Sequence, residues 1–287
     1  MANVRSQFLS LTALLLLAHL PLQAAKLQLQ FSPVPKDNVE ARLKMFKGDN
    51  RQRAETLKQM FTDAGCADHL SEQKVKGSKT PNIVCTLPGS SAKTIIVGAH
   101  YDYVAEGSGV VDNWSGASLL PSLYEAMKGT PRTHTYIFVG FTDEEKGLVG
   151  SHFYVHEMTP EQVANSAAMV NMDTLGLGPP EVWYSHADRP LALDLFKVAA
   201  ATDISVYPVD ADQIGTTDSE SFVDRKIPRI TIHSLSQETW DAQILHTSKD
   251  QFSMIKMDDY YTTYRLVAVY LAYLDSVLDA PTQPEKH

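Results

Sequence analysis

The chain has 287 residues, 44% of them hydrophobic and 21% charged, with a formal net charge of -9. This is the composition of a folded globular protein, long enough for one large α/β domain. The acidic balance argues against nucleic acid and anionic membrane surfaces as partners.

Residues 1–25 read as a secretory signal peptide. Arg5 supplies a short positive region, Phe8 to Leu22 is apolar apart from Ser10, Thr12 and His19, and Ala24 and Ala25 offer small residues for cleavage. The run is short for a membrane span, which needs about 20 apolar residues; an uncleaved anchor is the alternative. The expectation is a secreted or periplasmic protein with no stable membrane association once the segment is removed, and with residues 26–287 as one domain. Cys66 and Cys85 are the two cysteines. In an exported chain they permit one disulfide, with two buried thiols as the alternative.

Within the domain, Asn38 to Ala64 carries apolar residues at helical intervals (Val39, Leu43, Phe46, Leu57, Met60, Phe61), and Gly65 marks a stop. Lys74 to Pro81 is polar and loop-like. Asn82 to Leu87 and Thr94 to Ala99 read as strands, with Pro88-Gly89 turning the chain between them. Ser115 to Met127 reads as a helix blemished by Pro121, Thr133 to Thr142 as a strand, Gly147 to Glu157 as a helix, and Ala167 to Met172 as a short buried strand. Arg189 to Ala201 is helical, Ile204 to Pro208 extended, and Ser219 to Arg225 a short helix. Pro228 to His233 is a further strand, and Met257 to Leu278 a long amphipathic closing helix packed on the core. Strands alternating with helices predict an α/β single domain, a central sheet with helices on both faces. Sites in such sheets gather at the carboxyl ends of strands. His100, Glu145 and Asp173 each stand just past an apolar strand, so three separate runs deliver metal-type residues to one rim.

Glu144 and Glu145 sit side by side after the apolar run Tyr136 to Phe141. Either both are solvated on a turn, or one binds a cation while the other acts as a base. Asp102 follows His100 by two residues; a ligating His commonly gives its other N–H to a carboxylate, which makes Asp102 an orienting group. Asp112 opens a helix, where N-capping is the plain alternative. Glu145 and Asp173 taken singly are surface acids, and His246 taken singly is a solvated histidine; their order and strand placement argue for a shared cation. Two imidazoles and three carboxylates suit zinc. The three carboxylates plus one bridging hydroxide balance two Zn²⁺ better than one. Such a pair, about 3.5–4 Å apart, activates water and clamps a tetrahedral intermediate, and Glu144 stands where a base can shuttle the proton.

The fragments GAHYD (Gly98 to Asp102), DNWSG (Asp112 to Gly116), DEEKGLVGS (Asp143 to Ser151), NMD (Asn171 to Asp173) and HTSKD (His246 to Asp250) resemble the successive motifs of the co-catalytic zinc aminopeptidases, the group of bacterial leucyl aminopeptidases and aminopeptidase S. The resemblance runs from about Pro81 onward. It implies a zinc-exopeptidase-like fold with a mixed, mainly parallel sheet and two Zn²⁺ per chain. His100 and Asp173 would hold one ion, Glu145 and His246 the other, Asp112 would bridge them, and Glu144 would be the general base. It also implies a cis peptide at Asp112-Asn113 and a peptide substrate; a monomer is the expectation, though the sequence does not fix the oligomeric state. Three positions depart from the family pattern. Trp114 stands where a small residue is usual, Thr217-Asp218-Ser219 replaces Ser-Asp-His, and Ile214 stands where some members place an oxyanion-stabilising Tyr, leaving Tyr184 or Tyr207 as substitutes. His134, His152, His156, His186 and His233 are assigned to structure or surface, and Lys146 and Arg225 receive no role. Rival readings are a single-zinc glutaminyl cyclase, another amide or lipid hydrolase on the same metals, and a non-catalytic binding domain, which the retained ligands disfavour.

Overall fold

The computed structural model describes residues 29, 31–213 and 215–278; the segment read as a signal peptide and Ile214 lie outside the described residues. In chain order the elements are α1 (Lys36–Leu43), α2 (Asn50–Asp63), β1 (Leu70–Gln73), β2 (Asn82–Leu87), β3 (Thr94–His100), α3 (Ser115–Ala117), α4 (Leu119–Lys128), β4 (Thr135–Phe141), α5 (Val149–Glu157), α6 (Pro160–Asn165), β5 (Ser166–Met172), β6 (Glu181–Val182), α7 (Arg189–Ala201), β7 (Tyr207–Pro208), β8 (Arg229–His233), α8 (Gln237–Asp241) and α9 (Met257–Val277). The strands form one sheet in the order β1-β2-β4-β3-β5-β8-β6-β7. Its centre, β4-β3-β5-β8, is parallel, and antiparallel pairs join β1 to β2, β2 to β4 and β6 to β8.

The period-2 geometry of a strand sends alternate residues to opposite faces. On β3, Ile95 and Val97 enter a large core under α1, α2, α4, α7 and α9, while Ile96 enters a smaller one under α5. On β4, Tyr136 and Phe138 face the first, Val139 and Phe141 the second. Burial on both faces is why these strands read as continuous apolar runs. The mixed, mainly parallel α/β fold is therefore as expected.

Three local expectations change. The helix expected over Asn38 to Ala64 is two helices. Gly48 adopts φ 109° and Asp49 caps α2, accepting the Gln52 N–H while the Gln52 side chain accepts the Asp49 N–H. Pro88-Gly89 does not join paired neighbours, because β4 lies between β2 and β3. Gly89 instead admits a close backbone neighbour: a Cβ there would meet the His134 carbonyl at 2.3 Å. Strand β1 is short, polar and half exposed at the sheet edge, so it lacks an apolar signature. Cys66 and Cys85 are bridged, which ties the start of β1 to β2.

Candidate metal centre

β3 runs between β4 and β5, so their three carboxyl ends adjoin. His100 is the last residue of β3. Glu144 and Glu145 lie in the 3₁₀ turn Glu144–Lys146 after β4, and Asp173 directly follows β5. Asp112 comes from the irregular segment Val110–Trp114, with a cis peptide between Asp112 and Asn113. His246 sits in the loop after α8, at φ 57°. The two imidazoles flank one carboxylate: His100 Nε2 is 3.3 Å from Asp112 Oδ1, and His246 Nε2 is 3.1 Å from Asp112 Oδ2. On its far side each has another acid, Asp173 Oδ1 at 3.5 Å from His100 and Glu145 Oε2 at 3.0 Å from His246. Glu144 Oε2 is 3.9 Å from His100 Nε2.

Three groups of these residues could each hold a metal ion, with donor atoms within 4.8 Å of one another: His100–Asp112–Asp173 and Asp112–Glu145–His246, which share Asp112, and His100–Glu144–Glu145. Zn–N and Zn–O bonds near 2.0–2.1 Å place tetrahedral neighbours about 3.3 Å apart, close to the separations seen here. Glu145 Oε1 is buried with no hydrogen-bond partner among the described residues, as a ligand oxygen would be. The donor set and spacing thus fit zinc.

The candidate ligands are held by residues behind them. Asp102 accepts the N–H of Glu144 (3.0 Å) and of Glu145 (3.2 Å), and its Oδ1 lies 3.5 Å from His100 Nδ1. One carboxylate therefore sets a histidine and the acid pair together. Asn113 donates to the Met172 carbonyl at 2.9 Å and accepts the Gly116 N–H (2.9 Å) and Thr174 N–H (3.2 Å). Gly116 permits this, because a Cβ there would meet Met172 O at 2.5 Å.

Three further residues were given no supporting role by the sequence. Thr217 donates to Asp173 Oδ2 at 2.6 Å and accepts from Asn171 at 2.7 Å. Asp250 accepts the N–H groups of Val110, Val111 and Asp112 at 2.9, 2.9 and 3.1 Å, and its own carbonyl accepts the Ser108 N–H at 2.9 Å. The loop carrying His246 is thereby joined to the loop carrying Asp112. Arg53, fully buried, donates to the carbonyls of Tyr101, Ser108 and Gly109. Burial pulls its guanidinium down to about 10, against the surrounding acids. Asp250 was visible within HTSKD, but an acid in a polar loop looks solvated until the fold places it.

Electrostatics mark a site built for cations. Burial raises the Glu144 carboxyl to about 10; His100 opposes this, and Asp218, Asp173 and Asp112 add to it. Burial likewise raises Glu145, with His246 opposing. Burial works against a charged Asp112 too, yet hydrogen bonds from His100 and His246 hold it well below the usual range. Hydrogen bonds to Asp112 and Glu145 lift His246 to about 10. His100 rises as well: burial disfavours its charge, but Glu144, Asp173 and the hydrogen-bonded aspartates outweigh that. Asp218, wholly buried behind the site, is pushed up to about 7 by burial, with His100 opposing. Protons on imidazoles and carboxyls balance an excess of acids here, a task that divalent cations would perform if bound.

The centre opens into a cavity of about 60 Å³ that also touches Trp183, Thr217, His233, Leu235 and Leu245. His233, expected to be structural or superficial, is buried and lines this cavity. Its Nε2 lies 3.0 Å from the Val209 carbonyl, and its Nδ1 accepts the Leu235 N–H at 3.0 Å. Tyr184 and Tyr207 are exposed and do not line the cavity. Trp114 is buried in the large core rather than at the rim.

Residues 82–271 match peptidase family M28. Aminopeptidase Y of Saccharomyces cerevisiae is 28% identical over 231 residues, 73% of this chain and 42% of its own length. Aminopeptidase YwaD of Bacillus subtilis is 32% identical over 127 residues, 44% of this chain and 26% of its own length. The chain thus spans less than half the length of these curated relatives. Among solved structures, the LapA aminopeptidase of Legionella pneumophila aligns with a TM-score of 0.75 at 22% identity, covering 85% of this chain and 72% of that one. A glutaminyl cyclase from an Acidobacteriales bacterium aligns at 0.73 and 15% identity, covering 88% and 99%. At these identities the two structures share the fold.

Proposed function

The chain belongs to peptidase family M28, and from that premise we propose that it is a zinc aminopeptidase that removes N-terminal residues from peptides at a two-ion centre. One observation carries the reading: His100 and His246 address opposite oxygens of Asp112, and each has a second carboxylate beyond it. His100, Asp112 and Asp173 would hold one Zn²⁺, and Asp112, Glu145 and His246 the other. Bound there, the ions would keep the acids ionised, polarise the scissile carbonyl and make water acidic near pH 7.

The remaining work falls to this chain's side chains. Glu144 Oε2 takes the proton of the attacking water and returns it to the leaving nitrogen. Asp102 supports this by fixing the backbone of Glu144 and the ring of His100. We place the enzyme outside the cytoplasm, on the strength of the signal-like N-terminus and the Cys66–Cys85 bridge. Among the described residues no helix is long and apolar enough to cross a membrane.

The test is hydrolysis of aminoacyl anilides by zinc-loaded protein, with zinc content measured alongside. Two zinc ions per chain and chelator-sensitive hydrolysis are expected. Glu144→Gln should keep its zinc and lose roughly 10²-fold or more in kcat. A Glu144→Gln protein of near-normal turnover ends its assignment as base. Conversion of Gln-initiated peptides with one bound ion would favour the cyclase reading, to which the cyclase fold likeness lends some support.

A further inference from the structure

We propose that Trp183 sets the size of the side chain admitted beside the metal centre, so that peptides beginning with glycine, alanine or serine are the substrates; this rests on the aminopeptidase reading. The cavity at the centre holds about 60 Å³. One water needs about 10–15 Å³ in that measure, so the space amounts to four to six water-sized positions. The recess is thus small, and the substrate's first residue has to share it with the two proposed cations and the attacking water. Trp183 is its bulkiest wall, with Thr174, Leu235 and Leu245 among the others. His233 also faces it, but both ring nitrogens are engaged by backbone groups. None of these walls offers a partner for a charged side chain.

Trp183 does not swing aside easily. Its N–H donates to the Thr231 carbonyl at 3.1 Å, and its indole N–H donates to Asp212 Oδ1 at 3.0 Å. Its ring stacks on His186, with centroids 4.5 Å apart. His186 is itself held between Asp212 (2.9 Å) and Glu220 (2.7 Å). On the other side of Leu235, Leu245 and His246 lies a trough of about 520 Å³ floored by Ile244 and the half-exposed Trp240. An exopeptidase takes one residue on one side of the scissile bond and the rest on the other. The recess fits the single residue, and the trough fits the rest of the peptide.

The experiment compares zinc-loaded wild type and Trp183→Ala in two measurements. These are kcat/KM for alanyl, leucyl and phenylalanyl p-nitroanilides, and calorimetric binding of alanine and leucine hydroxamates. Wild type should favour alanine over leucine by about tenfold or more in both, the scale on which a pocket rejects added methylenes. Trp183→Ala should shift the leucine-to-alanine ratio upward by about tenfold or more. Leu235→Ala, lining the same recess, should shift it the same way and stands in if Trp183→Ala does not fold. Wild type that binds leucine hydroxamate as tightly as the alanine compound overturns the proposal, as does a variant that lowers both alike. Size-ranked hydroxamate binding without hydrolysis of any anilide overturns the aminopeptidase reading and leaves the pocket assignment standing. Binding of neither hydroxamate overturns both.

Discussion

Asp250→Ala removes the acceptor on which the Asp112 segment hangs. Its two oxygens take three backbone N–H groups, from Val110, Val111 and Asp112. A hydrogen bond to a charged group contributes about 1.5–3 kcal/mol, and a buried N–H left unpaired costs about 1–3 kcal/mol. The three share one carboxylate and water can enter the space left by truncation, so the effects do not add; a net loss of about 3–5 kcal/mol is expected. Asp112 is the shared ligand of the proposed two-ion centre, so both proposed ions should feel the change. Loss of a supporting partner typically weakens metal binding by about 10–100-fold. At fixed excess zinc that removes about 1.4–2.7 kcal/mol of zinc-induced stabilisation per ion. Chelator-competition titration and thermal melts with and without zinc read the two effects separately. Asp250→Asn should rank between wild type and Ala in stability, since it keeps one acceptor oxygen but turns an amide N–H₂ toward the Asp112 N–H. An Asp250→Ala protein that binds zinc within about twofold of wild type would refute the reasoning, since a partner with a real supporting role costs tenfold or more.

Thr217→Val keeps the side-chain shape but strips the hydroxyl between Asn171 and Asp173. Zinc affinity should drop by about tenfold, and unchanged affinity would show that Asp173 needs no such support. Replacing Cys66 and Cys85 by Ala opens a loop with a sequence separation of 19 and should cost about 3 kcal/mol, read as a lower Tm that reductant no longer affects. Glu181 is buried, and desolvation raises its carboxyl from 4.5 to about 7. Between those values the folded state holds a proton that the unfolded state has released, so this group's contribution to stability falls as pH rises through the window and levels off above 7. Glu181→Gln should therefore gain on wild type across that range, by up to about 3 kcal/mol. Denaturant melts at several pH values give the difference, and one that does not vary with pH would rule the account out.

The candidate ligands were legible because each is written into a local pattern. His100, Glu145 and Asp173 end apolar runs whose burial on both faces makes them unmistakable as central strands. The cradle was not legible in the same way. Asp250 and Thr217 look like solvated loop residues, and Arg53 looks like a surface cation on an amphipathic helix. Their partners lie 138–140, 44 and 48–56 residues away. Nor could a local pattern reveal β1, whose polar edge position leaves no apolar alternation, or the insertion of β4 between β2 and β3.

Composition and motif order by themselves determined the α/β class, the family and the kind of side chain that meets at the rim. Those depend on residue type and on periodicities of two and 3.6, which are properties of neighbouring residues along the chain. Only the tertiary structure decided which residues hold Asp112 between the two imidazoles, and that Trp183 lines the cavity beside them. Those depend on distances across the sheet, and chain positions far apart acquire a distance only when the core packs.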